Sequence, residues 1–360
     1  MKCWASSALP SGRPFELTSR YPTCPGVRRS RAINDILAEA KDEKSTLMNR
    51  KRISVLLLIY LAGALLDARA QDVGKSLPEK LGFARDAKLL IIHADDVGMT
   101  HSVNVATIKA LDTGLVNSAS IMVPCPWFPE IADYAKSHPE IDFGLHLTLT
   151  SERIYYRWGP VASKDKVPSL VDKDGYFHHD WPRDTHIDPK DAELELRRQI
   201  DRAYAMGIRP SHLDSHQYRL IDNGKELFEA FLRVAHAYRL PVFVTRDWFA
   251  EHPYLESSLA RDDIVLDHTV TIDPAVPPEQ WVEFYKTALK NLQPGITEFV
   301  VHLAFNDDEM KAATRERDTW GAAWRQRDFD FFTSQEFRQL LQEQNIKLIT
   351  WRQLGGAVKQ

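Results

Sequence analysis

Residues 88–94 read KLLIIHA, followed by Asp95-Asp96, a helically spaced stretch from Ser102 to Leu111, and Gly114. Seven mostly apolar residues are too few for a helix, so the run predicts a strand, the next segment a helix and the glycine its stop. The same order recurs: strand over 116–123 and helix over 128–136, strand over 143–149 and helix over 189–206, strand over 211–216 and helix over 225–238. Strand 241–245, helix 278–292, strand 298–305, helix 334–344 and strand 346–351 complete it. The helix over 189–206 carries its own punctuation, with Asp188 as N-cap, Pro189 in the first position and Gly207 past the end. Strands apolar on both faces that alternate with helices belong in a parallel sheet covered by helices. One α/β domain of barrel type is the economical architecture.

The chain has 360 residues, 44% hydrophobic and 27% charged, which excludes collagen, wholly disordered and multi-span membrane classes. Its formal charge is −4, distributed unevenly: residues 1–52 carry +6 and residues 71–360 carry −10. A net-acidic body lacks the footprint of a phosphate-backbone binder, so nucleic acid is not an expected partner. From Met48 the sequence runs MNRKRISVLLLIYLAGALLDARAQ: a basic start, 14 mostly apolar residues over 53–66, then Ala68 and Ala70. That is the pattern of a signal peptide over 48–70 cleaved after Ala70, with an uncleaved membrane anchor as the alternative. The expectations are an exported protein, periplasmic or secreted, with no stable membrane span after cleavage. Residues 1–47 are expected to be a disordered upstream extension of the reading frame. Cys3 and Cys24 go with that extension and leave Cys125 as the only thiol of the body. Any metal is therefore expected on histidine and carboxylate.

Four predicted strands end in ionisable residues: Asp95-Asp96, His146, the run His212-Leu213-Asp214-Ser215-His216, and His302. In an α/β barrel the C-terminal strand ends converge on one mouth. Alternation places His212, Asp214 and His216 on one face, where burial without partners would cost about 1–3 kcal/mol per group. A metal would satisfy them together. Asp95 and Asp96, being adjacent, should project in different directions, one toward a metal and the other toward a reacting proton. Two histidines and an aspartate with open positions describe a catalytic site for zinc, magnesium or another divalent ion. Each piece also has a structural reading: an Asp-Asp pair caps helices, His146 can be a hydrogen-bonded core residue, and His212 and His216 can form a network around Asp214. The aperiodic stretch 152–185 reads as a long loop over the mouth. Its aromatics, Tyr155, Tyr156, Trp158, Tyr176, Phe177 and Trp181, would stack on sugar rings or pack the loop down. The acidic run Asn306-Asp307-Asp308-Glu309 is either solvated or in contact with a cationic sugar.

The segments HADDVGMTHSVNVATIKALDTGLVNSASIMV, FGLHLTLT, PSHLDSHQ and VVHLAF, in that order, resemble the YdjC/ChbG family of carbohydrate deacetylases. The similarity runs to RDFDFFTSQEFRQLLQEQNIKLITWRQL and covers nearly all of 85–355. It implies a distorted TIM-like (β/α) barrel as a single domain over 71–360, and removal of acetyl groups from N-acetylated sugars or oligosaccharides with a divalent metal. Carried over by position, it implies Asp96, His146 and His216 as metal ligands, Asp95 as the base acting on the metal's water, and His302 as the acid for the departing amine. His212 and Asp214 would then orient His216 from behind. Tyr155, Trp158 and Trp181 remain candidate sugar contacts. Two departures stand out: His302 is followed by Leu303 where relatives commonly have His-Pro, and His216 by Gln217-Tyr218-Arg219 where they have further histidines. A non-catalytic sugar-binding barrel and a metal-dependent hydrolase of another amide or ester share these features. A glycosidase built on Asp95 and Asp96 fits poorly, since such carboxylates face each other across about 5–9.5 Å from separate segments. Oligomeric state is open, a homodimer included.

Overall fold

The computed structural model describes residues 74–179, 186–316 and 318–358, which lie in one compact unit, 74–360. The predicted signal peptide and Trp181 lie outside the described residues. Seven parallel strands form a curled sheet: β1 (Lys88–Val97), β2 (Ser118–Ile121), β3 (Phe143–Leu147), β4 (Leu213–Ser215), β5 (His268–Thr271), β6 (Gly295–His302) and β7 (Lys347–Leu348). Their order is β4-β3-β2-β1-β6-β5, with β7 added beside the first half of β1. This is the expected TIM-like barrel, distorted because the ring between β4 and β5 closes through isolated bridges alone. Residues 241–245, predicted as a strand, supply them: Val242 pairs with Leu213, and Thr245 with Leu266. Each bridge contributes only one or two backbone bonds, such as Phe243 N–H to Leu213 O at 2.8 Å and Leu266 N–H to Val244 O at 2.9 Å.

β1 is the axis of the fold because Leu89, Leu90, Ile91 and Ile92 are all fully buried, as a strand covered on both faces requires. It pairs with β6 from Lys88↔Gly295 to Asp95↔His302, which sets Asp95 level with His302 at the barrel mouth. Helices His101–Asp112, Phe128–Ser137, Pro189–Ala205 and Lys225–Tyr238 match the predicted segments to within a residue or two. Short strand β5 and helices Asp308–Ala313, Ala322–Phe332 and Trp351–Val358 were not predicted. β7 ends at Leu348, so Trp351, predicted in that strand, instead opens a helix. Among the described residues no helix is long and apolar enough to cross a membrane.

The loop after β3 is built in rather than loose. The Glu195 carboxylate, buried in helix Pro189–Ala205, accepts the backbone N–H groups of Val161 and Ala162 at 2.9 and 2.8 Å. Burial lifts that carboxyl to about 7, against the pull of those hydrogen bonds. Two members of the acidic run after His302 are structural, while Asp308 is exposed. Asp307 caps the next helix by accepting from Met310 N–H, and Glu309 accepts from the Ser102 and His101 N–H groups at the start of His101–Asp112.

Beneath the mouth, β3 passes so close to His212 that residue 144 has no room for a side chain. A Cβ there would stand 2.4–2.7 Å from three atoms of the His212 ring. Gly144→Ala is expected to cost about 1–3 kcal/mol through overpacking and to lower the thermal midpoint by several degrees. Gly355→Ala, in open space within Trp351–Val358, should leave it unchanged or slightly higher in the same melting experiment.

Candidate metal centre and active site

Asp95 and Asp96 face the same cleft, contrary to the alternation expected of neighbours on a strand. The reason is local: Asp96 adopts φ +66°, and the β1–β2 register shifts between Ala94 and Val97. This bulge turns a side chain that would point away back toward the mouth. A left-handed aspartate costs on the order of 1–3 kcal/mol, which the surroundings must offset. The Arg325 guanidinium does so, with Nη2 2.5 Å from Asp96 Oδ2, both groups buried.

The other oxygen, Asp96 Oδ1, lies 3.4 Å from His146 Nε2 and 3.2 Å from His216 Nδ1, and those nitrogens lie 3.1 Å apart. Their partners dictate the tautomers of the neutral rings. His146 Nδ1 donates to Asp214 Oδ1 at 2.8 Å, which leaves the Nε2 lone pair facing inward. His216 Nε2 donates to Glu152 Oε2 at 3.0 Å, which leaves the Nδ1 lone pair facing inward. Two lone pairs and a carboxylate oxygen that close on one buried point repel unless a cation sits among them. Asp96 Oδ1 accordingly has no hydrogen-bonded partner. Edges of 3.1–3.4 Å also match ligand spacings around an ion bound at about 2.0–2.2 Å. These three residues therefore fit a divalent metal.

Electrostatics point the same way. Burial alone would depress the histidines, yet Asp95 and Asp214 hold His146 well above its usual range, and Glu152 raises His216. Burial would lift the acids, yet Arg325 and the two histidines hold Asp96 well below the carboxylate range, and His216 brings Glu152 down to about 2. The cage takes up protons where a metal ion would replace them.

Around this triangle lies a cleft of about 400 Å³, lined among others by Asp95, His302, Tyr218, Trp320 and Arg325. Asp95 Oδ2 stands 3.8 Å from His146 Nε2 and 4.0 Å from His302 Nε2. Burial lowers His302 to about 4, so it is neutral near pH 7. Four residues of the cleft wall, Asp96, Gln217, Tyr218 and Trp320, hold positive φ without being glycine. Such strain concentrates where a site over-determines its backbone.

Three sequence expectations are corrected. Asp214 does not hold His216: it accepts from His146 and, through Oδ2, from His93 Nε2 at 3.0 Å, while Glu152 from the loop after β3 holds His216. His212 takes no part at the mouth; it stacks on Trp351 at 4.9 Å, meets His93 edge-on and bonds Ser211 Oγ, with its Nε2 unpartnered. Trp158 is buried and donates its indole N–H to Thr150 O, so it packs the loop, whereas Tyr155 is exposed beneath the Arg315 guanidinium rather than lining the cleft. Sequence reasoning also passed over Glu152, Arg153, Arg325, His93 and Trp320. Of these only His93 carried a signal, being a histidine two positions before Asp95 inside an apolar strand.

The model of the YdjC-like protein family matches residues 89–343. A carbohydrate deacetylase of Thermus thermophilus is 32% identical over 78% of this chain and 99% of its own length. One from Thermoanaerobacter pseudethanolicus is 28% identical over 73% and 98%. Among solved structures, an Enterococcus faecalis protein described as a candidate cellobiose-phosphate cleavage protein superposes with a TM-score of 0.63 at 29% identity, over 74% of this chain and 99% of that one. With a family match across most of its length, and a barrel shared with a solved relative, this chain belongs to the YdjC-like family.

Proposed function

We propose that the chain is an exported, metal-dependent hydrolase that removes acetyl groups from N-acetylated carbohydrates. The observation that carries the reading is the buried triangle of Asp96 Oδ1, His146 Nε2 and His216 Nδ1 at 3.1–3.4 Å. It opens on a cleft of substrate size, in a family whose relatives are named carbohydrate deacetylases. Export rests on the basic, apolar and small-residue pattern over 48–70. The ion is zinc or magnesium: two nitrogens and one oxygen suit zinc well, while magnesium favours oxygen donors.

A divalent ion held by Asp96, His146 and His216 supplies Lewis acidity toward the acetyl carbonyl and acidifies water. The remaining work falls to the protein's own groups. Asp214 and Glu152 keep both imidazoles in the tautomer that presents a lone pair, and Arg325 keeps Asp96 turned inward. Asp95, whose Oδ1 lies 3.3 Å from His93 Nε2 while Oδ2 faces His146 and His302, accepts the proton of the attacking water. His302, neutral at rest, receives a proton across the 4.0 Å gap from Asp95 and passes it to the amine nitrogen as the C–N bond breaks. An imidazole held below its usual pKa is a stronger acid once protonated, which suits it to a poor leaving group. Acetate and a free amino sugar leave.

The decisive test is acetate release from N-acetylglucosamine and its short oligomers, with zinc or magnesium added and with chelator. Release should require metal and vanish in His146→Ala; release that survives chelation would sink the metal-dependent mechanism, and none from any N-acetylated sugar the deacetylase assignment. Asp95→Asn and His302→Gln should lower kcat by about 10²–10⁴-fold while metal still binds, measured by equilibrium dialysis. Glu152→Gln and Asp214→Asn should each weaken metal affinity by about 10–100-fold; wild-type affinity in both would mean that the tautomers are set some other way.

A further inference from the structure

The cleft presents aromatic surface that neither the metal triangle nor the proton transfers call for, and its most constrained piece is Trp320. This residue lines the cleft, half-buried, with its ring centroid 6.4 Å from that of His302. Its backbone holds φ +54°, a region that favours glycine. Two buried arginines keep it there, because the Trp320 carbonyl accepts from Arg325 Nε at 2.8 Å and from Arg153 Nη2 at 3.3 Å. Behind it, Trp324 lies at 5.5 Å and meets Trp281 edge-on at 4.3 Å. The Trp281 indole donates to Asp328 Oδ1, and Asp328 Oδ2 accepts the backbone N–H of His302. One pillar thus fixes both the indole in the cleft wall and the imidazole assigned as proton donor.

An indole locked in place beside the reacting groups is rigid, broad and apolar, with little entropy left to lose on binding. The ligand surface that matches it is the C–H face of a pyranose ring, whose hydroxyls then point sideways to polar groups. We propose that Trp320 is the platform on which the substrate's sugar ring stacks, so that the acetamido group hanging from that ring is set against Asp95, His302 and the triangle. The proposal rests on the carbohydrate N-deacetylase reading and adds to it that the substrate is selected as a pyranose, by one residue of the loop before helix Ala322–Phe332. It moves the sugar contact away from the loop aromatics Tyr155 and Trp158, neither of which lines the cleft.

The test uses the zinc-loaded full chain and two readouts: sugar binding by saturation-transfer NMR and calorimetry with N-acetylglucosamine and its trimer, and acetate-release kinetics. Trp320→Ala should weaken binding and raise KM roughly tenfold, with kcat within about threefold of wild type and zinc affinity unchanged, while Trp320→Phe restores most of the loss. Equal binding and KM in Trp320→Ala would overturn the platform, as would loss of zinc affinity in step with sugar affinity, which would make the residue a buttress of the metal site. Wild-type binding that depends on Trp320 without any acetate release would retain the platform and remove the deacetylase reading. Absence of sugar binding in the wild type would remove both.

Discussion

Three electron-rich atoms from three strand ends close on one point inside a low-dielectric cavity, and the surrounding structure is arranged so that they can. Asp96 Oδ1 and two imidazole nitrogens lie within 3.1–3.4 Å of one another with almost no solvent between them. Left alone, such a set would protonate, rotate or swell apart, because uncompensated buried charge is costly. Each atom is held by a partner on its far side: Arg325 on Asp96, Asp214 on His146, Glu152 on His216. The partners are held in turn. Asp214 receives His93, whose Nδ1 bonds Ser118 Oγ on β2, and Arg325 and Arg153 share the Trp320 carbonyl.

This layering explains the irregular backbone at the mouth. A strand that kept its alternation through Asp96 would send that side chain away from the two histidines. The bulge and the left-handed φ bring it back, and the Arg325 contact offsets the cost of holding it. The same exchange recurs past β4, where Gln217 and Tyr218 take positive φ immediately after His216. The weak closure between β4 and β5 belongs to the same economy. Few ladder bonds there leave the wall at Tyr218, just past β4, free to be shaped by the site rather than by a sheet.

What was legible in the sequence follows from range. The strand–helix alternation and the polar residues at strand ends are local patterns, and they suffice for the barrel and for Asp95, Asp96, His146, His216 and His302 meeting at one mouth. The partners that hold the candidate metal triangle together are not local. Glu152 is 64 positions from His216 and Arg325 is 229 from Asp96, and each sits in a segment whose own pattern says only loop or helix. Alternation misled at His212 because β4 is three residues long: the histidine precedes it and is drawn toward Trp351 in the core, where Gly144 leaves room for its ring. Composition misled at Trp158, since an aromatic in an aperiodic stretch looks the same whether it faces solvent or, as here, is buried against its own loop and bonded to Thr150 O.

The proton inventory links that architecture to chemistry. Without an ion, the cage raises His146 and His216 and lowers Asp96 and Glu152, which favours protons on the imidazoles. On the proposed reading, an ion in the triangle would displace those protons, and Asp214 and Glu152 would go on accepting from the outer N–H groups. Asp95 leans on His93 through Oδ1 and turns Oδ2 toward His302, the histidine that burial keeps neutral. In the proposed mechanism Asp95 and His302 exchange protons with the substrate, because both line the cleft beside the triangle. On the proposed reading, the groups that hold the ion are those fixed from behind by Arg325, Asp214 and Glu152, and the groups that react are the two that face the cleft beside them.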